Sequence, residues 1–300
     1  MGAQYRTAAG SNVGMNLSPS LLRQVGLSAL WRAGRDASLR LLDEMLPVVC
    51  VACEQPLSPG QPSGPGASPR GWCAGCAASL PGLGVQRCPR CGERLAATGS
   101  CRHCRHHLPV FDHCIALADY ARPLDHLVQA IKFGRQAALA APLGRLLARA
   151  CIAGWPAGVP APDAVVPVPL APARLARRGF NQARLLARPV AAAFGLTPAH
   201  GLLRRTRDTL PASSLDARQR RQVLRAAFTA PPVGPATTLL IVDDVMTTGA
   251  TLQAAAGALK AAGAVTVVVC VACRTATPAA AAAGDGDGDG DGSDTAADAR

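Results

Sequence analysis

One stretch of this 300-residue chain, residues 239–251, limits the possible folds more than any other. It reads Leu-Leu-Ile-Val-Asp-Asp-Val-Met-Thr-Thr-Gly-Ala-Thr. The apolar start is typical of a buried parallel strand, and the alanine-rich residues 250–262, followed by Gly263, predict a helix. A buried strand that passes directly into a helix predicts an α/β fold built on a parallel sheet.

The turn between this strand and this helix carries groups that suit a sugar phosphate. Hydroxyl groups and a glycine let the backbone close around a phosphate at the helix N-terminus, where the helix dipole favours an anion. The candidate phosphate-binding residues are Thr247, Thr248, Gly249, Ala250 and Thr251. Asp243 and Asp244 lie at the carboxyl end of the strand, where carboxylates can accept hydrogen bonds from ribose hydroxyls. The stretch therefore predicts a ribose 5-phosphate site, against the plainer interpretation of a polar strand end with a capped helix.

A second constraint comes from four Cys-x-x-Cys pairs between residues 50 and 104. Two residues between thiolates let one turn present both sulfurs to a tetrahedral ion, and two such turns complete a structural zinc site. The pattern predicts a double zinc ribbon with two Zn²⁺ ions, held by Cys50, Cys53, Cys73, Cys76, Cys88, Cys91, Cys101 and Cys104. The spacing leaves open which pairs share an ion. His103, His106 and His107 are expected at the surface, although a histidine could replace a cysteine.

The remaining cysteines and the hydropathy bear on the compartment. We find no secretory segment and no run near the ~18 apolar residues of a membrane span, so we expect a cytoplasmic protein with reduced thiols. Cys270 and Cys273 have the same Cys-x-x-Cys spacing as the predicted zinc ligands (each such pair is called a knuckle below). They lie within and directly after the apolar, β-branched residues 264–272. Strand alternation would point the two thiols to opposite faces, so we expect them in the core rather than on an ion.

The charge of the chain is uneven. Its net charge is +12, but residues 284–300 hold six Asp and one Arg, which leaves +17 on residues 1–283. Residues 174–225 alone contain twelve Arg and only Asp208 and Asp216 as acids. Such an Arg-rich face favours anionic ligands such as a pyrophosphate or single-stranded DNA. The alternative is a solvated basic surface. Residues 204–228 are predicted to be a mobile polar loop within this segment.

Composition and pattern divide the chain into five regions. We expect a disordered N-terminus (1–16), an amphipathic helical region (17–47), the double zinc ribbon (48–108), an α/β domain (109–277) and a disordered Gly/Asp-rich tail (278–300). Within the α/β domain, Pro189 is predicted to kink or restart a helix.

These motifs, in this order over roughly residues 41–275, resemble the ComF family of competence proteins. The resemblance is carried by the cysteine pairs, Tyr120, Lys132-Phe133, Pro167-Val168-Pro169-Leu170, Arg178-Gly179-Phe180-Asn181-Gln182 and the Asp-Asp-x-x-Thr-Thr-Gly motif. It implies a type I phosphoribosyltransferase fold, a parallel sheet flanked by helices, with a small N-terminal zinc-ribbon domain. The family pattern has Gln and Asn where this chain has Ala212 and Val223.

The same resemblance implies a function. The ligand would be phosphoribosyl pyrophosphate (PRPP) with Mg²⁺, with Asp243 and Asp244 as catalytic residues on the ribose hydroxyls. Pro167, Val168 and Pro169 would shape the pyrophosphate side, and Arg178 and Lys132 would contact the anion. The expected role is the handling of imported single-stranded DNA, with a helicase of the competence machinery as a partner. Two alternatives remain: a non-catalytic zinc-ribbon module that binds DNA and carries a vestigial or sensory PRPP site, and a nucleobase salvage phosphoribosyltransferase.

Overall fold

The structure, a computed structural model, describes residues 49–57, 70–95, 99, 101–206, 227–234 and 237–275. These residues all belong to one unit that begins at Val49. The predicted regions 1–16, 17–47 and 278–300 lie outside the described residues, as do Ala212 and Val223. Among the described residues, no helix has both the length and the apolar character that a membrane span requires.

A parallel sheet of four strands forms the centre of the unit, in the order β1–β6–β5–β2. The strands of the unit are β1 (His113–Asp119), β2 (Ala164–Pro167), β3 (Arg204–Arg205), β4 (Phe228–Thr229), β5 (Thr238–Met246) and β6 (Thr266–Arg274). The two central strands are apolar and almost entirely buried, as expected for strands with both faces covered. The α/β prediction with a parallel sheet is confirmed.

Helices cover both faces of the sheet. They are α1 (Ala74–Ala78), α2 (Arg102–His106), α3 (Leu124–Lys132), α4 (Ala140–Ala153), α5 (Pro172–Arg178), α6 (Gln182–Ala193) and α7 (Ala250–Ala261). One core layer contains the buried faces of α3, α4 and α6, and the other contains that of α7. Helices α4 and α6 pack closely at Gly144, because a Cβ there would lie 2.5 Å from the ring of Pro189. Helix α6 continues through Pro189 as a single helix, so the predicted restart does not occur.

The cysteine-rich segment lies along the outer edge of β1. The backbone N–H groups of Cys114 and Asp119 donate to the carbonyls of Pro89 and Pro81, both at 2.8 Å. Arg87 adds an ion pair of 2.7 Å to the carboxylate of Asp119. The edge strand therefore finds hydrogen-bond partners in the cysteine-rich segment instead of in a fifth strand.

Two further predictions concern residues within this frame. Cys270 and Cys273 are fully buried, as predicted, but both belong to the core layer shared with α3, α4 and α6. The prediction that they face opposite sides is therefore wrong, because strict alternation is lost near the end of β6. The ends of the predicted polar loop 204–228 are paired, since Arg204 and Arg205 face Thr229 and Phe228 across an antiparallel ribbon. Residues 207–226 lie outside the described residues.

Candidate functional site

The candidate site lies at the carboxyl edge of the parallel sheet, where ligands bind in open α/β folds. Because β2 and β5 are parallel neighbours, their ends bring Asp243 next to the segment that starts at Pro167. Pro167 pairs with Val242, and the N–H of Val168 donates to the carbonyl of Val242 at 3.0 Å. The predicted pyrophosphate side therefore borders the acidic strand end directly.

The two acidic residues have different surroundings. Asp244 is buried, with 5% of its surface exposed, whereas Asp243 is half-buried. Each carboxylate accepts a hydrogen bond from the next backbone N–H, at 2.9 Å for Asp243 and 2.8 Å for Asp244. The ammonium of Lys132, at the end of α3, lies 3.0 Å from Oδ2 of Asp244. In this state Lys132 neutralises Asp244, so its charge is committed to the acidic pair.

The charge on Asp243 is unfavourable in this environment. Loss of hydration, followed by repulsion from Asp244, raises the pKa of Asp243 to about 8. Lys132 and the N–H of Asp244 act in the opposite direction without cancelling these effects. The site would therefore favour two kinds of ligand group. One kind accepts the proton of this carboxyl, and the other donates hydrogen bonds to its oxygens.

The predicted phosphate turn follows directly. Thr247 and Thr248 are exposed, and α7 begins at Ala250. Gly249 caps the helix with a φ of +75°, a conformation that other residues adopt only with strain. A Cβ at Gly249 would also lie 3.3 Å from Cε of Met246. The first N–H groups of α7 lie at its N-terminus, where helices commonly bind anions, and that of Ala250 donates to Oγ1 of Thr248 at 3.4 Å.

The Arg-Gly-Phe-Asn-Gln string forms the turn between α5 and α6. Gly179 ends α5 with a φ of +82°, and Asn181 caps α6 by accepting from the N–H of Ala183 at 3.0 Å. The side-chain amide of Asn181 also donates to the carbonyl of Val168 at 2.9 Å. Asn181 thereby fixes the Pro-Val-Pro segment against the start of α6, which is a structural role that the string alone did not indicate.

A basic pocket of about 440 Å³ opens beside the acidic pair. Its lining residues are Lys132, Phe133, Arg135, Arg174, Arg177 and Arg178. Phe133 is 77% exposed, and the guanidinium of Arg178 lies 5.7 Å from its ring centroid. Burial lowers the pKa of Arg178, and Asp244 opposes that effect. Arg178 and Lys132 are predicted from the sequence, whereas Arg135 and the exposure of Phe133 are not. The basic composition is the only sequence signal for Arg135.

The eight predicted metal ligands form two separate clusters, each with its sulfurs within 4.8 Å of one another. The clusters are Cys50, Cys53, Cys73 and Cys76 (the first cluster) and Cys88, Cys91, Cys101 and Cys104 (the second cluster). Cys-x-x-Cys pairs that follow one another in the sequence therefore share a site. This arrangement settles which pairs share an ion, a question that the spacing left open. The three histidines form no part of either cluster; His106 and His107 are exposed and His103 is half-buried.

The geometry of the clusters fits a tetrahedral ion. Sulfurs around a zinc ion with Zn–S bonds of ~2.3 Å lie about 3.8 Å apart. The Sγ atoms of Cys53 and Cys73 are 3.9 Å apart, and those of Cys88 and Cys104 are 3.7 Å apart. Burial raises the pKa of Cys104 to about 12, so this thiol resists ionisation unless a cation is bound. The donor set is therefore that of a structural zinc site.

Comparison with known proteins agrees with both parts of this description. The model of the double zinc ribbon domain matches residues 41–105, and that of the phosphoribosyl transferase domain matches residues 177–285. The DNA utilization protein YhgH of Salmonella typhi is 36% identical over 232 residues, which cover 77% of this chain and 98% of that protein. YhgH of Shigella flexneri is 35% identical over 234 residues, with the same coverage of both chains. Competence protein F of Haemophilus influenzae is 32% identical over 198 residues, or 64% of this chain and 86% of that protein.

Proposed function

Because this chain belongs to the ComF family, we propose that it binds PRPP with Mg²⁺ at the carboxyl edge of its sheet and acts in the cytoplasmic handling of single-stranded DNA. The PRPP proposal is supported mainly by three features that lie close together. The acidic pair, the glycine turn at the start of α7 and the cationic end of α3 lie at one edge of one sheet. The names of its relatives, a competence protein and DNA utilization proteins, support the DNA role.

Each part of PRPP has a matching group in this arrangement. Asp243 and Asp244 accept hydrogen bonds from the two ribose hydroxyls, and the turn at 247–251 holds the 5-phosphate. The pyrophosphate lies towards Val168 and Arg178. Carboxylate oxygens suit Mg²⁺, which would supply charge neutralisation for the pyrophosphate when bound. The half-buried, raised-pKa carboxyl of Asp243 gains most from the hydroxyl donors.

The ion pair between Lys132 and Asp244 implies an exchange of partners. Ribose hydroxyls that donate to Asp244 would replace the ammonium as its partner, and the released Lys132 would then turn to the pyrophosphate. The exchange keeps both charges compensated before and after the ligand binds, which a buried carboxylate requires. Lys132 would therefore bind the anion only after Asp244 has accepted its ligand.

We infer a transferase role from the same geometry. The 5-phosphate and the pyrophosphate are held at opposite ends of the ribose, so the bond between C1 and the pyrophosphate oxygen has a fixed position. When this bond breaks, cationic groups stabilise the negative charge of the departing pyrophosphate. The chain's own contribution is positioning and electrostatics. Turnover of a free purine or pyrimidine with PRPP would identify the alternative, a nucleobase salvage enzyme.

A thermal-shift experiment tests the PRPP site. PRPP with Mg²⁺ should raise the melting temperature of the native protein, since a ligand of the folded state stabilises it by mass action. The double variant D243N/D244N keeps the shape, loses both ionisable carboxyl groups and should lose most of this rise. Equal stabilisation of the variant and the native protein would remove the Asp pair from the site.

The matched control removes two carboxylates from the opposite edge of the sheet. Asp112 and Asp163 accept hydrogen bonds from the N–H groups of Val267 and Thr238, at 2.8 and 2.7 Å. An asparagine oxygen can accept the same bonds, so D112N/D163N should keep the PRPP-dependent rise. If this control also loses the rise in melting temperature, the rise depends on the overall charge of the protein and not on the Asp pair.

The basic pocket supports a second candidate function, the binding of single-stranded DNA. An exposed aromatic ring among five cationic side chains offers base stacking together with phosphate contacts. Stacking of one base contributes about 1–3 kcal/mol, so F133A should weaken oligo-dT binding by at least about fivefold. The exposed Val265, which lies outside the pocket, provides the control variant V265A.

The salt dependence of this binding is a separate measurement. If phosphates dominate, affinity for oligo-dT should fall steeply with salt and depend little on base sequence. Binding that is absent at low salt, or that does not change with salt, would remove the DNA role for the isolated chain. DNA binding without a PRPP response would instead favour a binding module with a vestigial site.

A further inference from the structure

Arg274, at the end of β6, is a buried arginine with 2% of its surface exposed. One arm of its guanidinium, Nη1, donates to three backbone carbonyls. These are the carbonyls of Met246 at 3.2 Å, Thr275 at 2.7 Å and Thr247. Met246 and Thr247 form the first part of the phosphate turn, so the guanidinium fixes the direction in which the chain leaves β5.

The other side of the same guanidinium contacts the zinc ribbon. Nη2 donates to Oε2 of Glu93 at 2.7 Å, and Nε donates to the carbonyl of Cys91 at 3.3 Å. Both partners of the ion pair are buried, with side chains 3% and 6% exposed. Breaking such a pair leaves an uncompensated buried charge, so this connection is stiff. Cys91 is a member of the second cluster, and Glu93 follows it by two residues.

An apolar contact path runs beside this polar one. Gly92, with a φ of +70°, packs so closely that a Cβ would lie 2.9 Å from Sγ of Cys114. That sulfur is 4.0 Å from Sδ of Met246, whose terminal methyl group is the near neighbour of Gly249. The knuckle that contains Cys88 and Cys91 therefore touches the phosphate turn through packed side chains as well as through Arg274.

The first cluster packs elsewhere. Gly71 lies against the ring of Pro142, and the carbonyl of Arg70 accepts from Arg145, so this part of the ribbon rests on α4. Trp72 belongs to the core layer shared with α3, α4 and α6. The two clusters are therefore connected to different faces of the sheet.

We propose that Arg274 is a positioning residue for the phosphate turn, and that metal in the second cluster sets the shape of that turn through it. Metal binding fixes the knuckle that carries the Cys91 carbonyl and Glu93, and these hold the guanidinium in register with the carbonyls of Met246 and Thr247. The first cluster has no such effect. The predicted effect on ligand affinity rests on the proposed PRPP site, whereas the coupling between the second cluster and the turn does not.

The test compares the two clusters by hydrogen exchange in the full chain without ligand. The variant C101S/C104S removes ligands of the second cluster, and C53S/C73S removes ligands of the first. We expect the amides of residues 247–251 to exchange at least about tenfold faster in C101S/C104S and at the native rate in C53S/C73S. Equal rates in all three proteins, or equal acceleration by both variants, would overturn the proposal.

A second pair of variants leaves the cysteines intact. R274K keeps the charge but loses the planar guanidinium. It should weaken binding of ribose 5-phosphate about tenfold, which is the size expected when a supporting residue is lost, and the zinc content should stay native. R145K alters a ribbon contact on the first-cluster side, the hydrogen bonds to the carbonyl of Arg70, and should leave that affinity unchanged. Native affinity in R274K would overturn the proposal. If the native protein binds neither ribose 5-phosphate nor PRPP, the proposed function fails, and the exchange rates still decide the coupling.

Discussion

Asp243 and Asp244 act as a pair because the fold places two carboxyl groups where only one is readily charged. Asp244 has the ammonium of Lys132 at 3.0 Å, whereas Asp243 has a pKa raised to about 8 by lost hydration and by repulsion from Asp244. Near pH 7, below this pKa, Asp243 is therefore largely protonated. Under the proposed function, a PRPP–Mg²⁺ ligand that requires the ionised carboxylate would displace this proton.

This proton release predicts the pH dependence of binding. Affinity for PRPP with Mg²⁺ should rise as the pH increases from 6 to about 8 and level off above it, because less free energy is then needed to ionise Asp243. Titration calorimetry in buffers of different ionisation enthalpy measures the released proton directly. The D243N variant should show neither the rise nor the proton, and an identical pH profile in the variant would contradict the assignment.

The same pKa gives the sign of an effect on stability. A carboxyl whose pKa is about 4 in the unfolded chain and about 8 in the folded one stabilises the fold in its protonated form. This contribution is fully present below pH 4 and is lost as the pH rises towards 8. Without ligand, D243N should therefore be more stable than the native protein at pH 9, and this difference should shrink or reverse at pH 5, as measured by thermal melting.

Several site residues could be predicted at this scale because their spacing is local. The Asp pair, the threonine turn and the cysteine knuckles each lie within a few consecutive residues, and the structure keeps each set together. The sequence predicts Arg274 at a strand end near the ligand, but not its contacts to the turn, because its partners Glu93 and Met246 lie 181 and 28 positions away. Nothing in the string Cys-Arg-Thr distinguishes a buried five-contact guanidinium from an exposed one.

At the scale of elements, the turn between α5 and α6 performs two tasks through one side chain. Asn181 caps α6 with its carbonyl oxygen and holds Val168 with its amide group. The Arg-rich end of α5 and the Pro-Val-Pro segment thereby keep a fixed position relative to each other, on the side where the pyrophosphate is proposed to bind.

Two substitutions separate these tasks. N181A should cost about 1 kcal/mol of unfolding free energy through the lost cap, as measured by urea denaturation. It should also weaken PRPP binding more than ribose 5-phosphate binding, because only the pyrophosphate side loses its support. N181S can still cap the helix but lacks the amide donor, so it should recover stability without recovering PRPP affinity. Equal recovery of both properties would show that the contact with Val168 is unimportant.

The elements themselves followed from local patterns to within a few residues. Apolar runs rich in β-branched residues predict β5 and β6, and the alanine-rich residues 250–262 predict α7. The order β1–β6–β5–β2 was not predictable, since it depends on contacts between distant segments. The prediction for Cys270 and Cys273 was wrong for a related reason: strand alternation assumes regular geometry, and the end of β6 departs from it.

At the scale of the whole unit, the zinc ribbon is part of the body and not an appended module. It supplies hydrogen bonds to β1, an ion pair to Asp119 and the buried partner of Arg274. Its residues also enter both core layers, with Trp72 in one and Cys91 in the other. Folding of the ribbon and of the sheet should therefore be coupled.

Metal analysis should return two zinc ions per chain, because two clusters with four thiolate donors each are present. Chelation should lower the melting temperature of the sheet as well as that of the ribbon, since structural zinc contributes folding free energy. Replacing Cys270 or Cys273 by serine should leave the stoichiometry at two. A content well below two, or a sheet that melts at the same temperature after chelation, would contradict this account.

The ribbon's cover over β1 has a consequence for the behaviour of the protein in solution. Without the carbonyls of Pro81 and Pro89, the N–H groups of Cys114 and Asp119 would face water on the rim of an open sheet. Such a rim is a template on which strands of other molecules can add. Chains produced under zinc starvation should therefore accumulate as β-rich aggregates, and supply of the metal during synthesis should decide the yield of monodisperse protein.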